Sequence, residues 1–375
     1  MRDLVRYYTE REHELLEMLR DLVELESPSS DKAAVDRLGI HVAELARAAG
    51  AQVTALPGGH YGDHLVCRWG DGEGGILLLA HLDTVWAVGT LSGRPWRVSE
   101  GRAFGPGCLD DKAGVVVALA ALGGLKALGR LPRRPICLFL NSDEEVGSRS
   151  SRARIEAEAR RATVVFCLEP ALPTGGLKVW RKGTGRYVVT AHGRAAHSGS
   201  DHAKGINAIL ELAEQIVRLQ AMTNYQVGST VNVGWVRGGT RTNVVPDQAQ
   251  ARVDLRVQTA DEGRRMDAMI RALQPVLPGA RLEISGGLSR PPMEATPTTL
   301  EPFRRAQAIG RELGLALEAG GSGGASDANF TAALGVPTLD GLGAVGDGAH
   351  SLDEYVLVSS LAERAALLAA LLNHW

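Results

Sequence analysis

Asn141-Ser142-Asp143-Glu144-Glu145-Val146-Gly147-Ser148 follows directly on Arg134-Pro135-Ile136-Cys137-Leu138-Phe139-Leu140, the most apolar short run in the first half of the chain. A short unbroken apolar run reads as a strand buried on both faces, the pattern of parallel sheets, so the acidic cluster falls at a strand's carboxyl end. Open α/β sheets bind their ligands at that end. Asp143, Glu144 and Glu145 are adjacent carboxylates that repel one another unless something positive sits among them, and a metal ion meets that need.

The same arrangement recurs on either side of this stretch. Ile76-Leu77-Leu78-Leu79-Ala80 runs into His81-Leu82-Asp83-Thr84-Val85, and Thr163-Val164-Val165-Phe166-Cys167-Leu168 runs into Glu169-Pro170. Between them Gly105-Pro106-Gly107-Cys108-Leu109-Asp110-Asp111-Lys112 opens an apolar helix that contains residues 115–122. A glycine-rich loop at a helix start can hold phosphate on its amides, but the spacing departs from the phosphate-loop and dinucleotide patterns, and Asp110 with Asp111 repels an anion. Paired acids there suit a cation. A lone histidine is commonly a satisfied core residue and a lone strand-end acid a solvated cap, yet His81, Asp83, Asp110, Glu144, Glu145 and Glu169 form a series that one sheet edge can gather.

The 375 residues are 45% hydrophobic, enough for a sizeable core and a soft prior for two domains. A formal net charge of -2 and the lack of a polybasic run give no reason to expect a nucleic-acid partner. The N-terminus has no apolar leader-like core and no stretch is apolar for long enough to span a bilayer, so a soluble, cytoplasmic protein without a membrane partner is expected. Cys67, Cys108, Cys137 and Cys167 are scattered without close pairing, which argues against a disulfide framework or a cysteine zinc site.

Helical spacing predicts a helix over residues 7–26, closed by Ser27-Pro28-Ser29-Ser30, and a second over 31–49 with Gly50 at its end. The texture changes near Lys182. Alternating strands (187–193, 229–236, 249–257 and a short one at 280–284) are interleaved with helices at 205–221 and 262–273, the pattern of a small α+β unit whose antiparallel sheet is covered on one face. Helix-and-strand patterning then returns, with a helix at 302–313, a strand near 336–339 and a final helix at 358–373. The expected organisation is therefore an α/β domain with a mixed sheet flanked by helices (residues 1–181 and 291–375), interrupted by an α+β unit (182–290).

Two histidines, His81 and the His350 of Gly346-Asp347-Gly348-Ala349-His350-Ser351, together with several carboxylates and no thiolate, suit zinc, or cobalt or manganese in its stead. A carboxylate can bridge two such ions, which would polarise a bound water and hold a scissile carbonyl. Adjacent side chains cannot both point the same way, so one of Glu144 and Glu145 can bind metal while the other serves as general base.

His81-Leu82-Asp83-Thr84-Val85, Gly105-x-Gly107-x-x-Asp110-x-Lys112, Asp143-Glu144-Glu145-x-Gly147-Ser148, Leu168-Glu169-Pro170 and His350-Ser351-x-x-Glu354-Tyr355, in this order over nearly the whole chain, resemble the dizinc exopeptidase and amidohydrolase superfamily. Its members include glutamate carboxypeptidase of the folate-cleaving type, aminoacylase, succinyl-diaminopimelate desuccinylase and acetylornithine deacetylase. The resemblance implies two zinc ions per subunit: His81 and Glu169 on one, Glu145 and His350 on the other, Asp110 bridging. It implies that Asp83 orients His81, that Glu144 is the general base, and that the Asp110-Asp111 peptide is cis.

The resemblance extends to the inserted unit, which is similar to the family's lid or dimerisation domain and implies a homodimer. Gly193-Arg194-Ala195-Ala196-His197-Ser198-Gly199 looks like the segment whose histidine reaches a neighbouring subunit's site and stabilises the oxyanion. Thr242-Asn243-Val244-Val245-Pro246 looks like a substrate-contacting lid segment. Arg256 and Arg290 are candidates to pair with a substrate carboxylate. Gly323-Gly324-Ala325-Ser326-Asp327-Ala328 resembles the loop whose amides and hydroxyl, here of Gly324 and Ser326, bind that carboxylate. Residues 174–180 depart from the folate-cleaving branch. The implied function is hydrolysis of an amide beside a C-terminal amino acid such as glutamate, in a small peptide or N-acyl amino acid. The alternatives are an aminoacylase, deacylase or dipeptidase of the same superfamily, and a catalytically silent binding relative.

Overall fold

The structure, a computed structural model, describes residues 1–375. The chain divides into two compact units, one of Met1–Trp180, Ala295–Ser322 and Ser326–Trp375, the other of Arg181–Glu294 and Gly323–Ala325.

The first unit is built on a six-stranded sheet in the order Gln52–Leu56, His64–Trp69, Ile136–Asn141, Gly75–His81, Ala162–Cys167, Thr338–Leu339. The first three strands pair antiparallel with one another, and the pairings from Ile136–Asn141 onward are parallel, so the sheet is mixed. Gly75–His81 and Ile136–Asn141 are buried at every residue, as unbroken apolar runs require when helices cover both faces. Their register sets His81 opposite Asn141, so the chain leaves both strands at the same sheet edge, and Ser142 to Glu145 emerge beside His81.

The helices Ala113–Ala127 and Val358–His374 are apolar on nearly every side and pack on each other within the core. The buried Tyr8 hydroxyl ties the N-terminal helix to them by donating to the Ala121 carbonyl at 3.0 Å. No helix is long and apolar enough to cross a membrane.

Several local expectations need correction. The helix expected over residues 7–26 is two, Arg2–Thr9 and Glu12–Glu24. An unbroken helix would give the Tyr7 carbonyl to the Arg11 amide; instead the Arg11 guanidinium takes it at 3.0 Å while the Arg11 amide bonds to Tyr8. The helix expected from 302 begins at Pro297, because Thr296 and Thr299 form a capping box and a proline is suited to the first helical position. Strand Arg281–Arg290 extends well beyond the expected 280–284 and includes Arg290. A short helix, Ala328–Ala333, was not anticipated.

The second unit is a four-stranded antiparallel sheet in the order Thr230–Gly238, Gln248–Val257, Gly183–His192, Arg281–Arg290. Ala249, Ala251, Val253, Leu255 and Val257 alternate inward and meet the buried faces of the helices Ala208–Gln220 and Ala260–Arg271 in one cluster. Both helices are capped in the ordinary way, by Asn207 accepting from Ile209 and Leu210 and by Thr259 accepting from Glu262.

Candidate metal centre

The strand ends deliver donor atoms to one place on the first unit. His81 is 2% exposed; its Nε2 lies 3.0 Å from Asp110 Oδ1 and 3.8 Å from Glu169 Oε1. His350 Nε2 lies 3.2 Å from Asp110 Oδ2 and 3.1 Å from the Glu145 carboxylate. The result is two groups, His81 with Asp110 and Glu169, and Asp110 with Glu145 and His350, in each of which the ligand atoms lie within 4.8 Å of one another. Asp110 belongs to both, one oxygen turned to each histidine. Each group offers one imidazole and two carboxylates, a mixed nitrogen and oxygen donor set that suits a divalent transition ion such as zinc.

Asp110 comes from the turn Cys108–Lys112, whose Asp110-Asp111 peptide is cis. Its neighbour Asp111 is fully buried and accepts the His81 amide at 3.3 Å, so the adjacent acids are separated in depth as well as direction. His350 sits in the left-handed region, φ 64°, in the loop before Tyr355–Leu357.

The charges here are strongly coupled to burial and to one another. Against the upward pull of burial, hydrogen bonds from His350 and His81 hold Asp110 well below the usual carboxylate range. Burial pushes the Glu145 carboxyl up to about 8. Hydrogen bonds to Asp110 and Glu145 push His350 up to about 11. For His81 the downward effect of burial is outweighed by Asp110 and Asp83, and its value stands well above the ordinary one. The raised histidines and Glu145 mark a concentration of carboxylate charge that a cation would offset.

Asp83 does more than the sequence suggests. His81 Nδ1 lies 2.9 Å from the Asp83 carbonyl and 3.5 Å from its carboxylate, so the carbonyl is the nearer ring partner. The carboxylate instead accepts the amides of Glu144 at 3.1 Å and Glu145 at 3.2 Å, and the Ser29 hydroxyl at 2.6 Å. Ser29 lies in the stretch that closes the N-terminal helical region; its partner is 54 residues away, and no local pattern announces it. Below the same loop Asp143 accepts from Ser150 and Ser151, and Asp327 from Asn141 and Ser148, so the acidic pair stands on a filled polar network.

The residues proposed for substrate are placed unequally. Ser326 is fully buried, with its hydroxyl donating to Asp340 and accepting from the Ala328 amide; it is committed to the chain and is not offered to a ligand. Arg256 closes both arms of its fork on Asp254, at 2.7 and 3.1 Å. Arg290 is a buried residue at the end of strand Arg281–Arg290. Gly324 is exposed and its carbonyl accepts from Arg181. In the second unit His197 pairs in register with Val244, and the Asn243 carbonyl accepts the Ser198 amide at 3.1 Å, so His197 and Asn243 share one exposed corner. His197 Nδ1 accepts the amides of Gly199 and Ser200, which leaves the ring proton on Nε2.

A family model described as peptidase family M20/M25/M40 matches residues 77–374. Carboxypeptidase G2 of Pseudomonas sp. is 30% identical over 97% of this chain and 90% of its own length. A succinyl-diaminopimelate desuccinylase of Rhodospirillum centenum is 27% identical over 96% of each chain. Among solved structures, aminopeptidase PepT of Bacillus cereus superposes with a TM-score of 0.77 at 23% identity, over 96% of this chain and 98% of that one, a likeness of fold.

Proposed function

The chain belongs to the peptidase family M20/M25/M40, a family of metallopeptidases and amidohydrolases, and we propose that it is a dizinc hydrolase of the carboxypeptidase type. Its substrate would be a small peptide or N-acyl amino acid, cleaved at the amide beside a C-terminal residue, with glutamate favoured. The observation that carries this reading is the pair of one-histidine, two-carboxylate groups that share Asp110. Its substrate side rests on the likeness to carboxypeptidase G2 over almost the full chain.

His81, Asp110 and Glu169 would hold one ion, and Asp110, Glu145 and His350 the other. When bound, such ions supply Lewis-acid polarisation of the scissile carbonyl and of the attacking water. The proton is the chain's own task. Glu145 is turned to His350, and Glu144 receives the water's proton and returns it to the leaving nitrogen. Asp83 fixes the backbone of both residues, so the two side chains keep separate roles. His197 of a second copy donates its Nε2 proton to the developing oxyanion, which makes the active form a dimer. Arg290, Asn243 and Gly324 are the second unit's candidates to pair with a substrate carboxylate. Arg256 joins them only by releasing Asp254.

The desuccinylase likeness favours a second reading, deacylation of an N-succinyl or other N-acyl amine. A panel offered to the zinc-loaded protein separates the two: acyl- and peptidyl-glutamates, the same substrates with other C-terminal residues, N-succinyl amines and simple dipeptides. Fastest release of C-terminal glutamate supports the proposal. Faster desuccinylation or dipeptide cleavage replaces it with the second reading, and no turnover with both metals bound marks a silent binding relative.

A further inference from the structure

Glu354 is a carboxylate with no solvent exposure, four residues beyond His350 and next to the strand Tyr355–Leu357. One of its oxygens accepts the amides of Leu109 at 2.9 Å and Asp110 at 3.1 Å. The other accepts the amide of Gly107 at 2.9 Å and the indole N–H of Trp86 at 3.1 Å. A carboxylate has about four acceptor sites, and here all are taken. Arg94 stacks over Trp86, donates to the Glu354 carbonyl at 3.1 Å and brings its charge within 3.8 Å of the carboxylate, which offsets the cost of burying it.

These partners are not a random sample of the surroundings. Gly107, Leu109 and Asp110 are the backbone of the turn that carries Asp110, Trp86 lies on the loop leaving His81, and Glu354 itself is on the loop leaving His350. One buried side chain therefore joins the chain segments of three donors, and it does so through main-chain groups whose positions decide where the Asp110 side chain starts. We propose that Glu354 is a positioning residue that sets the shared carboxylate of Asp110 between His81 and His350. This rests on the dizinc reading for its consequence but not for its geometry.

Glu354→Gln is the decisive variant because it is nearly isosteric. Its amide nitrogen must face either Leu109 and Asp110 or Gly107 and Trp86, donors against a donor in both orientations. The measurements are amide hydrogen exchange in the 105–112 segment of the full chain, zinc affinity at each site by chelator competition, melting temperature, and kcat and KM on the best panel substrate. Expected are faster exchange in 105–112, zinc held about 10- to 100-fold more weakly, and kcat lower by a similar factor with KM changed less than about threefold. A Glu354→Gln protein that melts like wild type and keeps wild-type exchange and zinc affinity overturns the proposal.

If Glu354→Gln does not fold, Trp86→Phe takes its place, since it removes one donor and leaves the three amides. A zinc affinity about threefold or more weaker at near-constant melting temperature supports the role, and unchanged affinity and exchange overturns it. Failure of the dizinc reading looks different: wild-type protein would take up no zinc and cleave no amide, while exchange in 105–112 would still report whether Glu354 sets that turn.

Discussion

The Asp83 carboxylate accepts the backbone N–H of Glu144 at 3.1 Å, within a fully buried site that also receives Glu145 and Ser29. Asp83→Asn places a donor where only donors arrive, so it disturbs the acidic pair without changing size. The expected result is a loss of about 1–3 kcal/mol in unfolding free energy, together with a fall in kcat of about 10- to 100-fold. Denaturant unfolding and steady-state kinetics check both. A variant with wild-type turnover would show that Asp83 does not organise the pair.

Glu144→Gln is expected to lower kcat by about 10²- to 10⁴-fold, the range for loss of a positioned proton carrier, while two metal equivalents stay bound. Metal analysis beside the rate measurement separates this from ligand loss. Glu145→Gln, by contrast, should lose metal from the His350 side first.

Metal uptake should release protons. In the metal-free protein His350 keeps its proton toward about 11 and Glu145 toward about 8, and both must give theirs up to become ligands. Affinity therefore rises as pH increases through neutrality, measurable by titration calorimetry in buffers of different ionisation heat. The metal-free fold shows the opposite sign: the raised value of His350 contributes stability that is complete below its ordinary 6.5 and fades as pH rises toward about 11. Affinity that stays flat from pH 6 to 8 would contradict the assignment.

Mixing two inactive variants tests the lid histidine. If His197 serves a second copy's site, His197→Ala and Glu144→Ala proteins allowed to exchange subunits should recover roughly a quarter of wild-type activity, because half the dimers are mixed and each has one complete site. If His197 serves its own chain, no mixture regains activity.

Gly124→Ala sets two effects against each other. Helix propensity favours alanine by about 1 kcal/mol. A methyl at this position, however, would come within 2.8 Å of the Tyr8 ring, which is 1% exposed and anchored to Ala121. Overpacking of this kind costs about 1–3 kcal/mol, so net destabilisation is expected in thermal or denaturant unfolding.

Much of the fold was legible because its signals are local. Unbroken apolar runs marked the strands Gly75–His81 and Ile136–Asn141, and Asp31 and Gly50 bracketed a helix that the structure places at Lys32–Ala48. The helix break after Thr9 falls in residues 9–14, which carry no apolar side chain and so no periodicity either way; there the Arg11 guanidinium takes the Tyr7 carbonyl that an unbroken helix would use. The start of the helix Pro297–Leu313 is a local signal too, a threonine followed by a proline at the first helical position.

For the site, the division follows the range of the interactions. Sequence alone determined which residue types stand at the strand ends, His81, the Glu144 and Glu145 pair, and Glu169, because strand burial and chain direction are written in short runs of residues. Tertiary structure decided which of their atoms meet. It turned Asp110 to both histidines, committed Ser326 to Asp340, and hung the acidic pair from Asp83 and the Asp110 turn from Glu354. Those bonds satisfy buried amides and carboxylates across distances of up to hundreds of residues, and a buried polar group takes whichever partner the packed chain brings within reach.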